Sequence, residues 1–406
     1  MTSLTHMEDA MTSDITLSDT PKGYVRSDSL QASFEEAAKR LLELDGPRTT
    51  LQPPSLVADL ALEGGGVKGL GLVGAVVVLD EAGYVFRGVA GTSAGAIAAV
   101  LVAGLAKAGR PMSDLRTLIA SLDFKNFMPS GKLRDSLHVL GKKRGDAVAD
   151  LASLIRRDGI YSGDYLVEWL TPILHDQLGV RTFADLRLDK DVDPGMSLYA
   201  EREYSVVMHA SDISRGQLVR LPWDYPYYAL APDDQDPVAA VRASMSIPFF
   251  FDPVHVQSEE VRLKAPRAGG GVTEVHYAAG TQTWVDGGLL ENFPIRAFDR
   301  VDGQAPRWPT IGIKLSSFQT EFPPMVACDS SDAVARHIEK MLTGEWNSHA
   351  IDESTAARTI FVDNLGLKAT DFDLTRAQQD QLFLNGVEAA TTFVISCAAS
   401  GGVPLR

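Results

Sequence analysis

Two glycine-rich turns, Gly64-Gly65-Gly66-Val67-Lys68-Gly69 and Gly91-Thr92-Ser93-Ala94-Gly95, each sit between a short apolar run and a longer one. Leu56–Leu62 reads as a strand. Leu70–Leu79 is apolar nearly all round, which suits a buried helix ending near Gly83. Val85–Ala90 reads as a second strand and Ala96–Lys107 as another apolar helix. Strand, glycine loop, helix, strand, glycine turn, helix is a βαβα unit, and its two strands must lie parallel. This unit restricts the chain to an α/β fold: a mostly parallel central sheet flanked by helices as a three-layer sandwich. Both glycine turns then leave adjacent strands at the same edge of the sheet and converge in space.

The rest of the chain is organised around that unit. Residues 1 to about 30 are rich in Ser, Thr and Asp and read as a loosely held tail. Ser33-x-x-Glu36 is a capping box, predicting a short helix with Phe34, Ala37, Leu41 and Leu42 on one face. The stretch from 110 to 200 reads as mainly helical, with breaks at Pro129-Ser130-Gly131 and Asp158-Gly159. Strands are expected again at Tyr204–Ser211, Trp284–Asp286, Thr310–Leu315 and Thr359–Val362, and Gly269-Gly270-Gly271 reads as a hairpin loop. Thr375-x-x-Gln378 caps a last helix carrying Leu382, Phe383, Val387 and Ala390. No linker or repeat breaks the chain after residue 50, so 1–50 is expected as tail and short helix and 51–400 as one catalytic domain.

Composition excludes several functions. A net charge of −15 over 406 residues argues against nucleic acid, because phosphate binding needs a basic face. The short basic runs Lys142-Lys143-Arg144 and Arg156-Arg157 read as solvated helix faces. No run approaches the ~18 consecutive apolar residues of a membrane span, and no basic segment followed by an apolar one opens the chain. Two cysteines, Cys328 and Cys397, cannot build a disulfide framework and have no metal-ligand spacing. A cytoplasmic protein, peripheral at membranes at most, is expected.

The chemistry lies in the turns. Gly91–Gly95 has the form GxSxG between a strand and a helix, the pattern of a nucleophile elbow. Small flanking residues let Ser93 occupy a strained turn with its hydroxyl exposed at the end of the sheet. The glycine loop at 64–69 admits three readings. A dinucleotide fingerprint expects an acidic residue closing the next strand, but Gly91-Thr92-Ser93 stands there. A P-loop needs Gly-Lys-Ser/Thr, but Lys68 is followed by Gly69. What remains is an oxyanion hole, a set of backbone N–H groups preorganised for a tetrahedral intermediate. An activated serine needs a base. None of the eight histidines, at 6, 138, 175, 209, 255, 276, 337 and 349, stands in a recognisable active-site context. Trp284-Val285-Asp286-Gly287-Gly288 places a carboxylate after an apolar strand end, although Asp-Gly alone is only a turn signal.

In combination these elements resemble the patatin-like phospholipase family. The loop GGGVKG, the elbow GTSAG and the triplet Asp286-Gly287-Gly288 follow the family's order over roughly residues 56 to 316. Arg242-Ala243-Ser244 through Ile247-Pro248-Phe249-Phe250-Phe251 is similar to its run of small residues, proline and aromatics. Gly288 stands where alanine is common. The resemblance implies Ser93 as nucleophile and Asp286 as general base in a dyad without histidine. It places the oxyanion hole at Gly64, Gly65, Gly66 and Val67, with Lys68, Gly69, Gly91, Gly95, Gly287 and Gly288 in support. It also implies a lipid or membrane-surface substrate and neither metal nor organic cofactor.

A free aspartate, with a pKa of about 3.9, is a poor match to a serine hydroxyl. Burial should therefore raise the Asp286 pKa, and the elbow should hold the hydroxyl within reach. Phe124, Phe127 and Met128, and Trp223-Asp224-Tyr225-Pro226-Tyr227-Tyr228, offer apolar lips for an acyl chain, although each cluster also suits a core. Hydrolysis of phospholipid or lysophospholipid esters is the expected activity. The alternatives are acyl transfer through the same acyl-serine, an ordinary α/β hydrolase using His337 or His349, and a lipid-binding or signalling module with a silent site. The tail and the acidic balance leave room for a regulatory activator.

Overall fold

The computed structural model describes residues 14–46, 54–127, 163–188, 203–248, 250–266, 272–299, 306, 308–315, 352–369 and 371–405. An amino-terminal hairpin pairs β1 (Ile15–Leu17) with β2 (Tyr24–Arg26) and leads into helix α1 (Asp28–Asp45). The main sheet contains β3 (Leu56–Leu62), β4 (Tyr84–Thr92), β5 (Val206–Asp212), β6 (Gln217–Leu221) and β7 (Val254–Ser258). A separate hairpin, β8 (Val261–Pro266) with β9 (Val272–Tyr277), precedes β10 (Gly280–Asp286), β11 (Thr310–Lys314) and β12 (Thr359–Phe361). In space the main sheet runs β12-β11-β3-β4-β5-β10-β7, with β6 also paired to β5. The pairs from β12 through β5 are parallel, and those of β5 with β10 and β6, and of β10 with β7, are antiparallel. It is the expected α/β architecture, a mostly parallel sheet flanked by helices.

Burial follows from strand pairing. Every residue of β3, β5 and β11 is buried, as parallel strands covered on both faces require. Strand β7, at the antiparallel edge, instead alternates between exposed and partly covered residues. The hairpin expected around Gly269–Gly271 is present in its strands β8 and β9, while the loop itself lies outside the described residues.

Helix α2 (Leu70–Glu81) follows the glycine loop and α3 (Ala94–Lys107) follows the elbow. Helix α4 (Pro237–Ser244) leads into the second half of the site. The last helix, α5 (Arg376–Ser400), opens on the Thr375/Gln378 capping box. Its 25 residues are apolar enough to cross a membrane by length and composition alone. Here its buried stripe lies along α2 at unusually close range: a Cβ on Gly74 would stand 2.1 Å from the Phe383 carbonyl oxygen, and one on Gly386 2.0 Å from that of Gly71. Only glycines permit backbones that close, so α5 acts as a core helix.

Two features near the amino terminus differ from expectation. Residues 14–26, read as part of a loose tail, form the β1–β2 hairpin, clamped by Arg26, which donates to Thr391 in α5 and to Glu81 in α2. Helix α1 starts five residues before the Ser33 box, because the Ser27 side chain already caps it at the Leu30 N–H; Ser33 instead bonds back to the Ser29 carbonyl. The breaks at 129–131 and 158–159 and the basic runs at 142–144 and 156–157 lie outside the described residues, as do Met128, Phe249, Cys328, His6, His138, His337 and His349.

Register positions the site. Leu62 of β3 pairs with Gly91 of β4, so both glycine turns leave the sheet side by side. Thr92 of β4 pairs with His209 of β5, and β5 continues three residues beyond it to Asp212. Strand β10 runs back along that overhang and ends with Asp286 opposite Ala210, level with the end of β4.

Candidate active site

Ser93 sits at φ 54° and ψ −124°, a conformation that costs a non-glycine residue roughly 1–3 kcal/mol. The surroundings force it. A Cβ on Gly91 would lie 2.2 Å from the Gly95 carbonyl oxygen, and one on Gly95 would lie 2.2 Å from that of Leu62. The Ser93 N–H donates to Ser244 Oγ at 2.9 Å, and Ser244 Oγ donates in turn to the His209 carbonyl at 2.6 Å. Thr92 Oγ1 ties the elbow to the Glu291 carbonyl at 2.9 Å. The helix α3 that follows begins with N–H groups facing the turn.

Asp286 closes β10, its backbone N–H donating to the Ser246 carbonyl at 2.8 Å. Its Oδ1 accepts the Gly288 N–H at 2.7 Å, whereas Oδ2 is buried and makes no hydrogen bond of ordinary geometry. Burial pushes the Asp286 pKa up to about 7, against the opposing pull of the Gly288 amide and of the neighbouring Ser93 hydroxyl. The Ser93 hydroxyl rests at 3.5 Å from the Met245 thioether, a weak acceptor. The Asp286 carboxylate and the weakly held Ser93 hydroxyl thus occupy the same buried space.

The glycine loop lies against both groups. A Cβ on Gly64 would stand 3.1 Å from Ser93 Cβ, and one on Gly69 3.2 Å from Ala94 Cβ. Gly66 to Gly69 form a single 3-10 turn, with Gly66 at φ +55° beneath the Ala369 carbonyl. Not every expected donor is available. Gly64 N–H donates to the Asn292 carbonyl at 3.0 Å and Val67 N–H to the Ala369 carbonyl at 3.2 Å. The Gly65 and Gly66 N–H groups bond to no described residue. Lys68 is buried beside Gly65, its Cε 3.3 Å from where a Gly65 Cβ would be.

Several further residues border the site: Asn292 carried no signal in the sequence, and Ser244 and Met245 fall within the run at 242–251 without standing out as site candidates. Asn292 joins the segment after Asp286 to Gly64, and Ser244 and Met245 flank Ser93. His209 also lies close by, its carbonyl packed against Gly287. Burial, with a smaller contribution from Arg220, pushes its pKa down to about 3, so its ring stays neutral. Among the described residues no group of three His, Cys, Asp or Glu side chains is arranged to hold a metal.

Of the described aromatic candidates, Phe127, Trp223, Tyr225 and Tyr228 are buried in the core, and Phe124 and Tyr227 are half-buried against it. Phe127 is buried against Tyr165, Phe251 and Phe372, with ring centroids 5.1 to 6.0 Å apart. Tyr225 and Tyr228 pack on Trp284, and the Tyr228 hydroxyl donates to Asp212.

A family model described as patatin-like phospholipase matches residues 60–299. An uncharacterized protein of Bacillus subtilis (strain 168), YqhO, is 31% identical over 326 residues, covering 80% of this chain and 93% of its own. Among solved structures, VipD from Legionella pneumophila aligns with a TM-score of 0.40 at 15% identity, over 85% of this chain and 67% of that one. ExoU of the Pseudomonas aeruginosa type III secretion system, solved with SpcU, aligns with a TM-score of 0.35 at 17% identity, over 84% of this chain. The present chain spans about half of ExoU, 53%.

Proposed function

The chain belongs to the patatin-like phospholipase family of lipid ester hydrolases, and on that premise we propose that it cleaves carboxylic esters of phospholipids or lysophospholipids through an acyl-Ser93 intermediate, with Asp286 as the sole acid–base partner. The observation that carries this reading is the Asp286 carboxylate: buried beside Ser93, with Oδ2 unpartnered and a pKa raised to about 7. A base so tuned is half-ionised near neutral pH, where general-base efficiency is greatest.

The sequence of steps follows. Ser93 Oγ attacks the ester carbonyl carbon while its proton passes to Asp286 Oδ2. The carbonyl oxygen becomes an oxyanion and accepts from the Gly65 and Gly66 N–H groups. As the tetrahedral intermediate collapses, the carbon–oxygen bond to the alcohol breaks, and the protonated Asp286 returns its proton to that alcohol. Water then repeats the cycle, losing a proton to Asp286, attacking the acyl-serine and releasing the fatty acid. His209 suits the role less well, because burial keeps its ring neutral and disfavours an imidazolium where it lies.

The reading is tested by fatty acid release from phosphatidylcholine vesicles and from a nitrophenyl acyl ester, comparing the parent with Ser93→Ala and Asp286→Asn. Variants as active as the parent would end it.

A further inference from the structure

Strand β3 leaves the sheet at Glu63, one residue before the glycine loop. The Glu63 N–H completes the β3–β11 ladder by donating to the Ile313 carbonyl at 3.1 Å. The next rung of a parallel ladder would run from the Leu315 N–H to a backbone carbonyl of β3. The chain has turned away by then, and the Glu63 side chain supplies the acceptor instead, Oε2 taking the Leu315 N–H at 2.6 Å. Its other oxygen, Oε1, is ion-paired with Lys314. Both side chains are sealed from solvent, at 4% and 1% exposure.

Lys314 also faces the other half of the site. Its ammonium lies 5.2 Å from the centroid of the Phe293 ring and acts electrostatically on Glu291. Phe293 and Glu291 flank Asn292, which holds Gly64. On the first side, Leu315 packs on the loop: its Cδ1 is 2.6 Å from where a Gly65 Cβ would be.

A buried ion pair is a poor source of stability, because the cost of desolvating both charges offsets their attraction. Placed here it has another use. We propose that the Glu63–Lys314 pair is a positioning device that aims the Gly65 and Gly66 amides at the reacting carbonyl. Through Lys314 it also neutralises a carboxylate that would otherwise oppose the developing oxyanion. The inference rests on the acyl-serine reading above. Neither residue touches the substrate; they act through Leu315, Gly64 and Gly65.

The test uses the full chain and three variants. In Glu63→Gln/Lys314→Met the charges are removed together, volume is nearly kept and Gln can still accept the Leu315 N–H. Glu63→Asp keeps the charge but withdraws it by one methylene, and Lys314→Arg is the conservative replacement. Thermal unfolding, kcat and KM on a nitrophenyl ester, and the Ki of a trifluoromethyl ketone that forms a tetrahedral adduct with Ser93 are measured for each. The double variant should unfold no more than a few degrees below the parent, with kcat down roughly 10- to 100-fold, KM held, and Ki weakened in proportion to kcat. Glu63→Asp should show the same split, and Lys314→Arg should retain most of the rate.

A double variant that matches the parent in kcat and Ki would overturn the inference while leaving the hydrolase reading intact. So would a loss of rate traced wholly to unfolding, with the folded fraction keeping the parent's Ki. A parent that neither cleaves esters nor takes a fluorophosphonate on Ser93 would overturn both.

Discussion

Asn292 grips Gly64 by two bonds in opposite directions: the Gly64 N–H donates to the Asn292 carbonyl at 3.0 Å, and Asn292 Nδ2 donates to the Gly64 carbonyl at 3.1 Å. The two residues come from the glycine loop and from the segment after Asp286-Gly287-Gly288, so the clasp joins the two halves of the candidate site. Gly64 must be glycine here, since a Cβ would stand 2.3 Å from Asn292 Oδ1.

Asn292→Ala removes one of the two bonds and leaves a buried carbonyl unpaired, a loss of about 1–3 kcal/mol. If most of it falls on loop alignment, kcat/KM for a nitrophenyl ester should drop roughly 10- to 100-fold. Asn292→Asp should be worse than alanine, because it faces the Gly64 carbonyl with an acceptor and adds negative charge beside the oxyanion. An aspartate variant faster than the alanine variant would contradict this account.

If Asp286 is the general base proposed above, its raised pKa sets the pH dependence of rate. The carboxylate must be ionised to accept the serine proton, so kcat/KM should fall as pH drops through about 7. A pH–rate profile on an uncharged ester checks this; an acid limb centred near 4 would show that the carboxylate is not held as described.

Stability should respond with the opposite sign. The folded-state pKa of Asp286 lies above its unfolded value, so between about 4 and 7 the folded chain binds more protons than the unfolded one. Its contribution to stability is complete below pH 4 and is lost as pH rises to about 7, at roughly 1.4 kcal/mol per unit of pKa difference. Asp286→Asn removes that penalty. Melting curves should show the variant inactive yet more stable than the parent at pH 8, with the gap closing toward pH 4. Asp59, also buried and pushed up to about 7, gives both proteins the same background slope.

The strand-loop-helix units were legible for one reason: a turn that needs glycine, or a serine on a strained elbow, leaves a local pattern. Residues that act by tertiary contact leave none. Asn292 lies 228 residues from Gly64, an ordinary polar residue until the fold brings it in, and Ser244, 151 residues from Ser93, belongs to a legible run whose contact with the elbow is not itself legible. Lys314 looks like the polar end of an apolar strand, and only the departure of β3 at Glu63 gives it a partner. Gly64 and Val67 belong to the same glycine run as Gly65 and Gly66. What separates them is where Asn292 and Ala369 place their carbonyls. The amino-terminal hairpin was hidden by its polar composition, because Arg26 and Tyr24 anchor it through Glu81 and Thr391 instead of a long apolar run.

Ser244→Ala tests whether the elbow is held from outside. The hydroxyl accepts a hydrogen bond from the Ser93 N–H and donates one to the His209 carbonyl, so its loss strands two buried backbone groups. Relaxed from its strained φ, Ser93 should lose alignment with Asp286, and fluorophosphonate labelling should slow at least about 10-fold. Ser244→Thr restores the hydroxyl and should recover part of the rate; equal rates for parent and alanine variant would show that the elbow is self-supporting.

Gly66→Ala asks whether the carboxyl-terminal segment completes the oxyanion site. Gly66 combines φ +55° with the Ala369 carbonyl oxygen only 1.9 Å from where a Cβ would lie. Alanine at this φ costs roughly 1 kcal/mol in backbone terms alone. The contact adds more, because a backbone oxygen cannot swing aside as a flexible side chain can. Either the 3-10 turn distorts or residues around Ala369 lift away, and the second course also breaks the bond from Val67 N–H. Both move the Gly65 and Gly66 amides off the carbonyl. The expected result is a rate loss of 100-fold or more, the scale of losing an oxyanion donor at ~10²–10³. Mass spectrometry of fluorophosphonate-treated protein should still find the label on Ser93, more slowly formed, since the nucleophile and Asp286 are untouched. Full esterase activity in a folded Gly66→Ala protein would mean that this loop does not carry the oxyanion.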